Sequence, residues 1–137
     1  MSKINKINKE IQEKDAIYNF LGGNSSGFFV DVGANEPDAT ESQTWHLEKK
    51  GWTGILVEPI PELAEKAKKI RTSSIVHQVV CTTPNNVGRL EFLIPYSGDE
   101  LVSVHASLRA NIDDHNYLKF KKLEVSAVTL NSILVNA

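Results

Sequence analysis

Gly27-Phe-Phe-Val-Asp-Val-Gly-Ala-Asn-Glu-Pro-Asp38 and, after a short polar stretch, Gly51-Trp-Thr-Gly-Ile-Leu-Val-Glu58 decide the fold of this chain. Phe28 to Val32 is an apolar run of β-branched and aromatic residues between turn formers. It predicts a strand buried on both faces and central in its sheet. Gly33-Ala34-Asn35 breaks the run, because Gly and Asn accept backbone angles that other residues avoid. Thr40 with Gln43 reads as a capping box that starts a helix near Glu41. Lys49, Lys50 and Gly51 read as the end of that helix. Ile55 to Val57 is a second apolar run, and it closes on an acid, Glu58. Strand, turn, helix and strand form a βαβ unit, which binds ligands beyond the carboxyl ends of its parallel strands.

Charge narrows the ligand. A dinucleotide site uses three spaced glycines so that backbone can approach a pyrophosphate. Here only Gly33 is present, with Asn35 and Pro37 where further glycines would stand. Asp31, Glu36 and Asp38 lie in the loop with no Lys or Arg among them, a field that repels a diphosphate. The same field suits a ligand with an ammonium and a sulfonium whose carboxylate rests on backbone N–H groups. S-adenosylmethionine fits that description. Glu58, at the end of the second strand, is placed to accept hydrogen bonds from ribose hydroxyls.

Gly27-Phe-Phe-Val-Asp-Val-Gly-Ala-Asn-Glu-Pro37, followed by Gly51-Trp-Thr-Gly-Ile-Leu-Val-Glu-Pro-Ile-Pro61, resembles the FkbM family of S-adenosylmethionine-dependent methyltransferases. The resemblance extends from about Asp15 to the C-terminus and is strongest between Gly27 and Arg71. It implies an α/β, Rossmann-like class I methyltransferase fold in three αβα layers. It also implies O-methylation of a sugar or small-metabolite hydroxyl. The implied cofactor site comprises Asp31, Gly33, Ala34, Asn35, Glu36, Glu58, Pro59 and Cys81, with no metal. Gly33, Ala34 and Asn35 would cradle the methionyl end, Glu58 would hold the ribose, and Cys81-Thr82 would line the adenine. No catalytic base is assigned.

Family members usually continue past the stretch matching Thr129 to Leu134 into a strand ending in an Asp-x-Glu-Gly-like motif. The sequence stops at Ala137. The expectation is therefore one partial methyltransferase domain over residues 1–137, incomplete at its C-terminus, with a helical segment at about 3–22. The open edge of the first strand would then pair with a second copy or be covered by Leu123 to Ala137.

With 137 residues, 41% of them apolar, and a net charge of -2, the chain has the composition of an ordinary globular domain. The balance gives no reason to expect nucleic acid. One cysteine excludes an internal disulfide. No apolar run is long enough to span a bilayer, and the N-terminus lacks the apolar core of a secretory signal, so no membrane partner and a cytoplasmic location are expected.

Ile4, Ile7 and Ile11, then Ile17, Phe20 and Leu21, predict one or two amphipathic helices covering the sheet and closed by Gly22-Gly23. Trp45 and Trp52 read as packing residues, and His46 as surface or half-buried. Pro61 suits the first turn of a helix lined by Leu63, Ala64, Ala67 and Ile70. Its pairs Glu62 with Lys66 and Glu65 with Lys69 read as a solvated face. Ile75 to Cys81 predicts a third strand, Leu90 to Ile94 an antiparallel edge strand, Tyr96 to Glu100 a loop, and Leu101 to Val104 a short strand. Leu123, Val125 and Ala127 alternate as in a half-buried strand, and Thr129 caps a helix through Leu134. Ser103, Ser107 and Arg109 could border a substrate, and Asp113-Asp114-His115 carries metal-type side chains in an unsuitable spacing.

Two other functions compete. One is a non-catalytic or remnant cofactor-binding module that self-associates or needs a missing C-terminal half. The other is a nicotinamide-dependent oxidoreductase, which the single glycine and the acidic loop disfavour.

Overall fold

The computed structural model describes residues 2–103, 106–108 and 119–137. The chain is mixed α/β and divides into two compact units, Met1–His77 and Gln78–Ala137.

The first unit is built on a parallel three-stranded sheet in the order β1-β2-β3. Its strands are β1 (Phe28–Val32), β2 (Thr53–Val57) and β3 (Ser74–His77). Val30 pairs with Ile55, and Ile55 in turn with Ile75. The double-sided burial expected of β1 belongs to β2, where Ile55 and Leu56 are 0% exposed. In β1 only Phe29 is buried, while Phe28 is 55% and Val32 50% exposed. β1 is thus an edge strand and not a central one, because among the described residues it has a single hydrogen-bonded neighbour. The strand within residues 123–137, expected as a cover for that edge, is hydrogen-bonded to β4 (Val80–Cys81) and β5 (Gly88–Ser97) of the second unit.

Two helices complete the crossovers, α2 (Trp45–Glu48) and α3 (Pro61–Ile70). They bury Leu47 and Ala67 in one cluster with Phe29, Ala34, Trp52 and Leu56. That cluster explains Gly54, since a Cβ there would lie 2.4 Å from the Phe29 ring. α3 follows its sequence closely, with proline in its first turn and Leu63, Ala64 and Ala67 buried. α2 does not. It starts at Trp45, whose N–H donates to Ser42 Oγ (3.2 Å), while the Thr40 hydroxyl bonds the Glu41 side chain. The segment before it is held by tertiary contacts described below, and these override the capping-box signal. Gly51, at φ 100°, ends the turn as expected.

α1 (Lys3–Phe20) is one helix, begun by Ser2, whose side chain accepts from Asn5 N–H, and followed by Gly22 and Gly23 at positive φ. It does not act as the expected apolar cover, because no residue in it is buried and Ile4, Ile7 and Ile11 are exposed. Lys14 Nζ donates to the Thr40 carbonyl, the Lys50 ammonium lies over the Tyr18 ring, and Tyr18 packs against the core cluster.

In the second unit, β5 (Gly88–Ser97) runs antiparallel to β8 (Phe120–Val128), and β8 pairs in parallel with β4 (Val80–Cys81). The expected single strand from Ile75 to Cys81 is therefore two strands in two sheets. β5 is an inner strand and not an edge, since β8 lies on one side and β6 (Glu100–Leu101) and β7 (Ser107–Leu108) also pair with it. The expected loop at Tyr96 to Glu100 is a hairpin that turns at Gly98, where φ is 63°. Val125 and Ala127 are buried as their alternation predicts, and α4 (Leu130–Leu134) is capped by Thr129 Oγ1 accepting from Ser132 N–H at 3.1 Å. Arg109 and Asp113-Asp114-His115 lie outside the described residues.

Candidate functional site at the ends of the first two strands

The first two parallel strands end in a turn that the backbone defines. Gly33 has φ 79° and Asn35 has φ 53°, both in the left-handed region that Gly and Asn enter at least cost. A Cβ on Gly33 would meet nothing within 4 Å, so the glycine answers a backbone angle and not a close approach. The turn is sewn to the end of β2. Gly33 N–H and Ala34 N–H both donate to the Val57 carbonyl, at 2.9 and 3.1 Å, and Asn35 N–H donates to Glu58 Oε2 at 2.7 Å. These three N–H groups are engaged within the protein, whereas the sequence reading offered them to a ligand carboxylate.

Glu58 is 3% exposed, and its other oxygen, Oε1, accepts Ile60 N–H at 2.8 Å. Pro59 stands between them, buried and without an N–H of its own. Burial pushes the Glu58 carboxyl above the ordinary carboxylate value. The N–H donors of Ile60 and Asn35 oppose the rise, and the charges of Asp31 and Glu36 add to it. Each carboxylate oxygen keeps a second lone pair.

Asp31, half-buried near the end of β1, accepts the Thr44 hydroxyl at 2.6 Å. Thr44 Oγ1 accepts in turn from Arg71 Nη2 at 3.0 Å. Arg71 is 1% exposed. Its Nε donates to Glu48 Oε2 at 2.5 Å and its Nη1 to the Pro37 carbonyl at 3.1 Å. The guanidinium also lies over the rings of Phe29 and Trp45. Ser73 N–H and the Ser74 hydroxyl complete the shell of Glu48, at 2.9 and 2.8 Å. A buried ion pair is tolerable only when its remaining hydrogen-bonding capacity is met in this way.

The acidic loop is less negative than its sequence. Lys66, from α3, reaches Glu36 at 2.6 Å and Asp38 at 3.0 Å, and the three side chains are between 43% and 48% exposed. The Lys66 hydrogen bond holds Asp38 below its ordinary value, and the bonds to Glu36 and Asp38 hold Lys66 above its own. Lys66 therefore bridges to the loop, and Glu65 pairs with Lys68 at 2.7 Å in place of the expected Lys69.

Of the sequence-derived residues, Asp31, Gly33, Ala34, Asn35, Glu36, Glu58 and Pro59 lie in the first unit. Cys81 belongs to the second, in β4, where burial pushes its thiol up. Ser107 is a β7 residue paired with Leu93 of β5. His46 is half-buried, and neither ring nitrogen forms a hydrogen bond among the described residues. Burial, followed by Lys14, Lys50 and Lys49, lowers its basicity. Trp52 is buried and donates Nε1–H to the Asn24 carbonyl at 2.9 Å, the packing role expected of it.

Thr44, Glu48 and Arg71 were not legible as parts of this region. One signal existed, since Arg71 is the first arginine of a chain that uses only lysine before it. A forked, weakly hydrated guanidinium is the cation suited to burial.

Among the described residues, no helix is long and apolar enough to cross a membrane. Comparison of the chain with protein-family models, with curated proteins and with solved structures finds no match.

Proposed function

We propose that the first unit is the cofactor-binding half of an S-adenosylmethionine-dependent methyltransferase of the FkbM kind, with a Rossmann-like arrangement and a sugar or small-metabolite hydroxyl as acceptor. The observation that carries this reading is the placement of two carboxylates, Asp31 and Glu58, near the ends of adjacent parallel strands around a left-handed turn. Ligands of open α/β sheets bind at that end.

The fit to the cofactor is uneven. Asp31 suits a cation, because no Lys or Arg pairs with it among the described residues. Glu58 retains lone pairs for a diol, although both oxygens already accept N–H groups. The Gly33 to Asn35 N–H groups do not fit the methionyl carboxylate, being donated to Val57 and Glu58. When bound, S-adenosylmethionine supplies an electrophilic methyl group. The chain's own part is to hold the cationic end at Asp31 and to keep the turn closed through Glu58. Calorimetric titration with S-adenosylmethionine and with NAD tests the reading. S-adenosylmethionine should bind and NAD should not; the reverse order of affinity would replace this function with nicotinamide chemistry.

A second reading, a self-associating module, draws on the β1 edge. Edges that resist pairing usually carry lysine, proline or several charges, whereas β1 carries only Asp31 among apolar residues. Antiparallel pairing of two copies about Val30 would align Phe28 with the partner's Val32 and join two exposed apolar faces. Sedimentation should then show a dimer that Val30→Lys dissolves; a monomer at all concentrations removes this reading.

A further inference from the structure

The charges around the turn do not all close on one another. Arg71 and Glu48 form a complete pair, since Glu48 also takes the Ser73 N–H and the Ser74 hydroxyl. Lys66 is shared by Glu36 and Asp38. Asp31 is left with a single described donor, the Thr44 hydroxyl, and with no cation at ion-pair distance among the described residues. Thr44 has one proton to donate, and it goes to Asp31. The hydroxyl oxygen is therefore the acceptor for Arg71, and the chain of donation runs from Arg71 through Thr44 to Asp31.

We infer that Thr44 and Arg71 are positioning residues for Asp31, fixing its carboxylate as the receptor for the positive charge of the ligand. Thr44 is 8% and Arg71 1% exposed, so neither is itself the contact surface. Arg71 cannot neutralise Asp31, because its Nε pairs with Glu48 and its Nη2 meets Thr44 as a donor. What it transmits is orientation. Its fork binds Thr44 and the Pro37 carbonyl together, so the residue before α2 and the loop after the turn are set by one rigid group. A lysine offers no planar fork and would lose that double hold.

This inference rests on the cofactor reading above, and the test separates the two. S-adenosylmethionine, which carries an ammonium and a sulfonium, and 5′-methylthioadenosine, which shares its nucleoside but has neither charge, are titrated into the wild-type chain, Thr44→Val, Thr44→Ser and Asp31→Asn. The expected result is that wild type prefers S-adenosylmethionine. Thr44→Val should lose about tenfold in affinity for it, the scale of one hydrogen bond to a charged group. Binding of methylthioadenosine should stay unchanged, and Thr44→Ser should restore the preference. Asp31→Asn should abolish the preference, which keeps the test decisive if Thr44→Val does not fold. Equal losses for both ligands, or a preference that survives Thr44→Val, overturn the positioning role while leaving the cofactor reading in place. Equal wild-type affinity for the two ligands overturns it as well. Failure of wild type to bind either ligand overturns the cofactor reading and this inference together.

Discussion

The loop from Glu36 to Thr44 is tied down twice, once from inside by Arg71 and once from outside by Lys66. Both ties are cations on acidic partners at short distances, 2.5 Å to Glu48 and 2.6 Å to Glu36. They differ in surroundings. The Arg71 and Glu48 side chains are 0% and 4% exposed, whereas those of Lys66 and Glu36 are 43% and 48% exposed. In the interior, removing one partner strands the other without water, and the loss is large even though forming the pair gained little. At the surface, water and salt replace the lost partner. Distance alone therefore says nothing about which tie holds the loop.

The largest effect expected is that of Arg71→Ala. It strands the Glu48 charge and removes the donors to Thr44 and Pro37, and should cost about 3–5 kcal/mol in urea unfolding. A loss no greater than that of a surface substitution would erase the distinction between inner and outer ties.

A smaller effect concerns Glu58, buried but paired only with backbone N–H groups. Its folded value is raised, chiefly by burial. A raised acid contributes its stability in full below its unfolded value, about 4.5, and loses it as pH rises through the folded value. Between pH 4 and 7, unfolding midpoints of wild type measured against Glu58→Gln should fall relative to the variant as pH rises. A difference independent of pH would show that burial of this carboxylate is not felt.

The smallest effect is that of Lys66→Ala. The unfolding midpoint should hardly move, and what difference there is should vanish in high salt. A change comparable with that of Arg71→Ala would mean that the outer tie is structural after all.

The same contrast explains what could be read from sequence. Local codes were legible: Pro61 in the first turn of α3, Gly51 at positive φ, Thr129 capping α4, and the two apolar runs that became β1 and β2. Each depends on neighbours a few residues away. The start of α2 was misread because the side chain of Thr44, the residue before it, answers to Asp31 and Arg71 and makes no cap hydrogen bond to the helix. β1 was misplaced because an apolar run reports composition and not the number of strands beside it. The loop's negative field was overstated because Lys66 lies on α3, distant in sequence from Glu36 and Asp38. At the candidate site, the acids at the strand ends were legible. The internal use of the Gly33 to Asn35 N–H groups was not, since a sequence does not show where a backbone donor is spent.

α1 has a consequence for time as well as for structure. It contributes no buried residue and reaches the core cluster through the half-buried Tyr18, and a helix draws most of its stability in a protein from packing, of which α1 has little. Its amides should therefore exchange with deuterium on a clock set by its own fraying, well ahead of β2, whose central residues are sealed from solvent. One chain thus keeps two clocks, and the faster can run without stopping the slower.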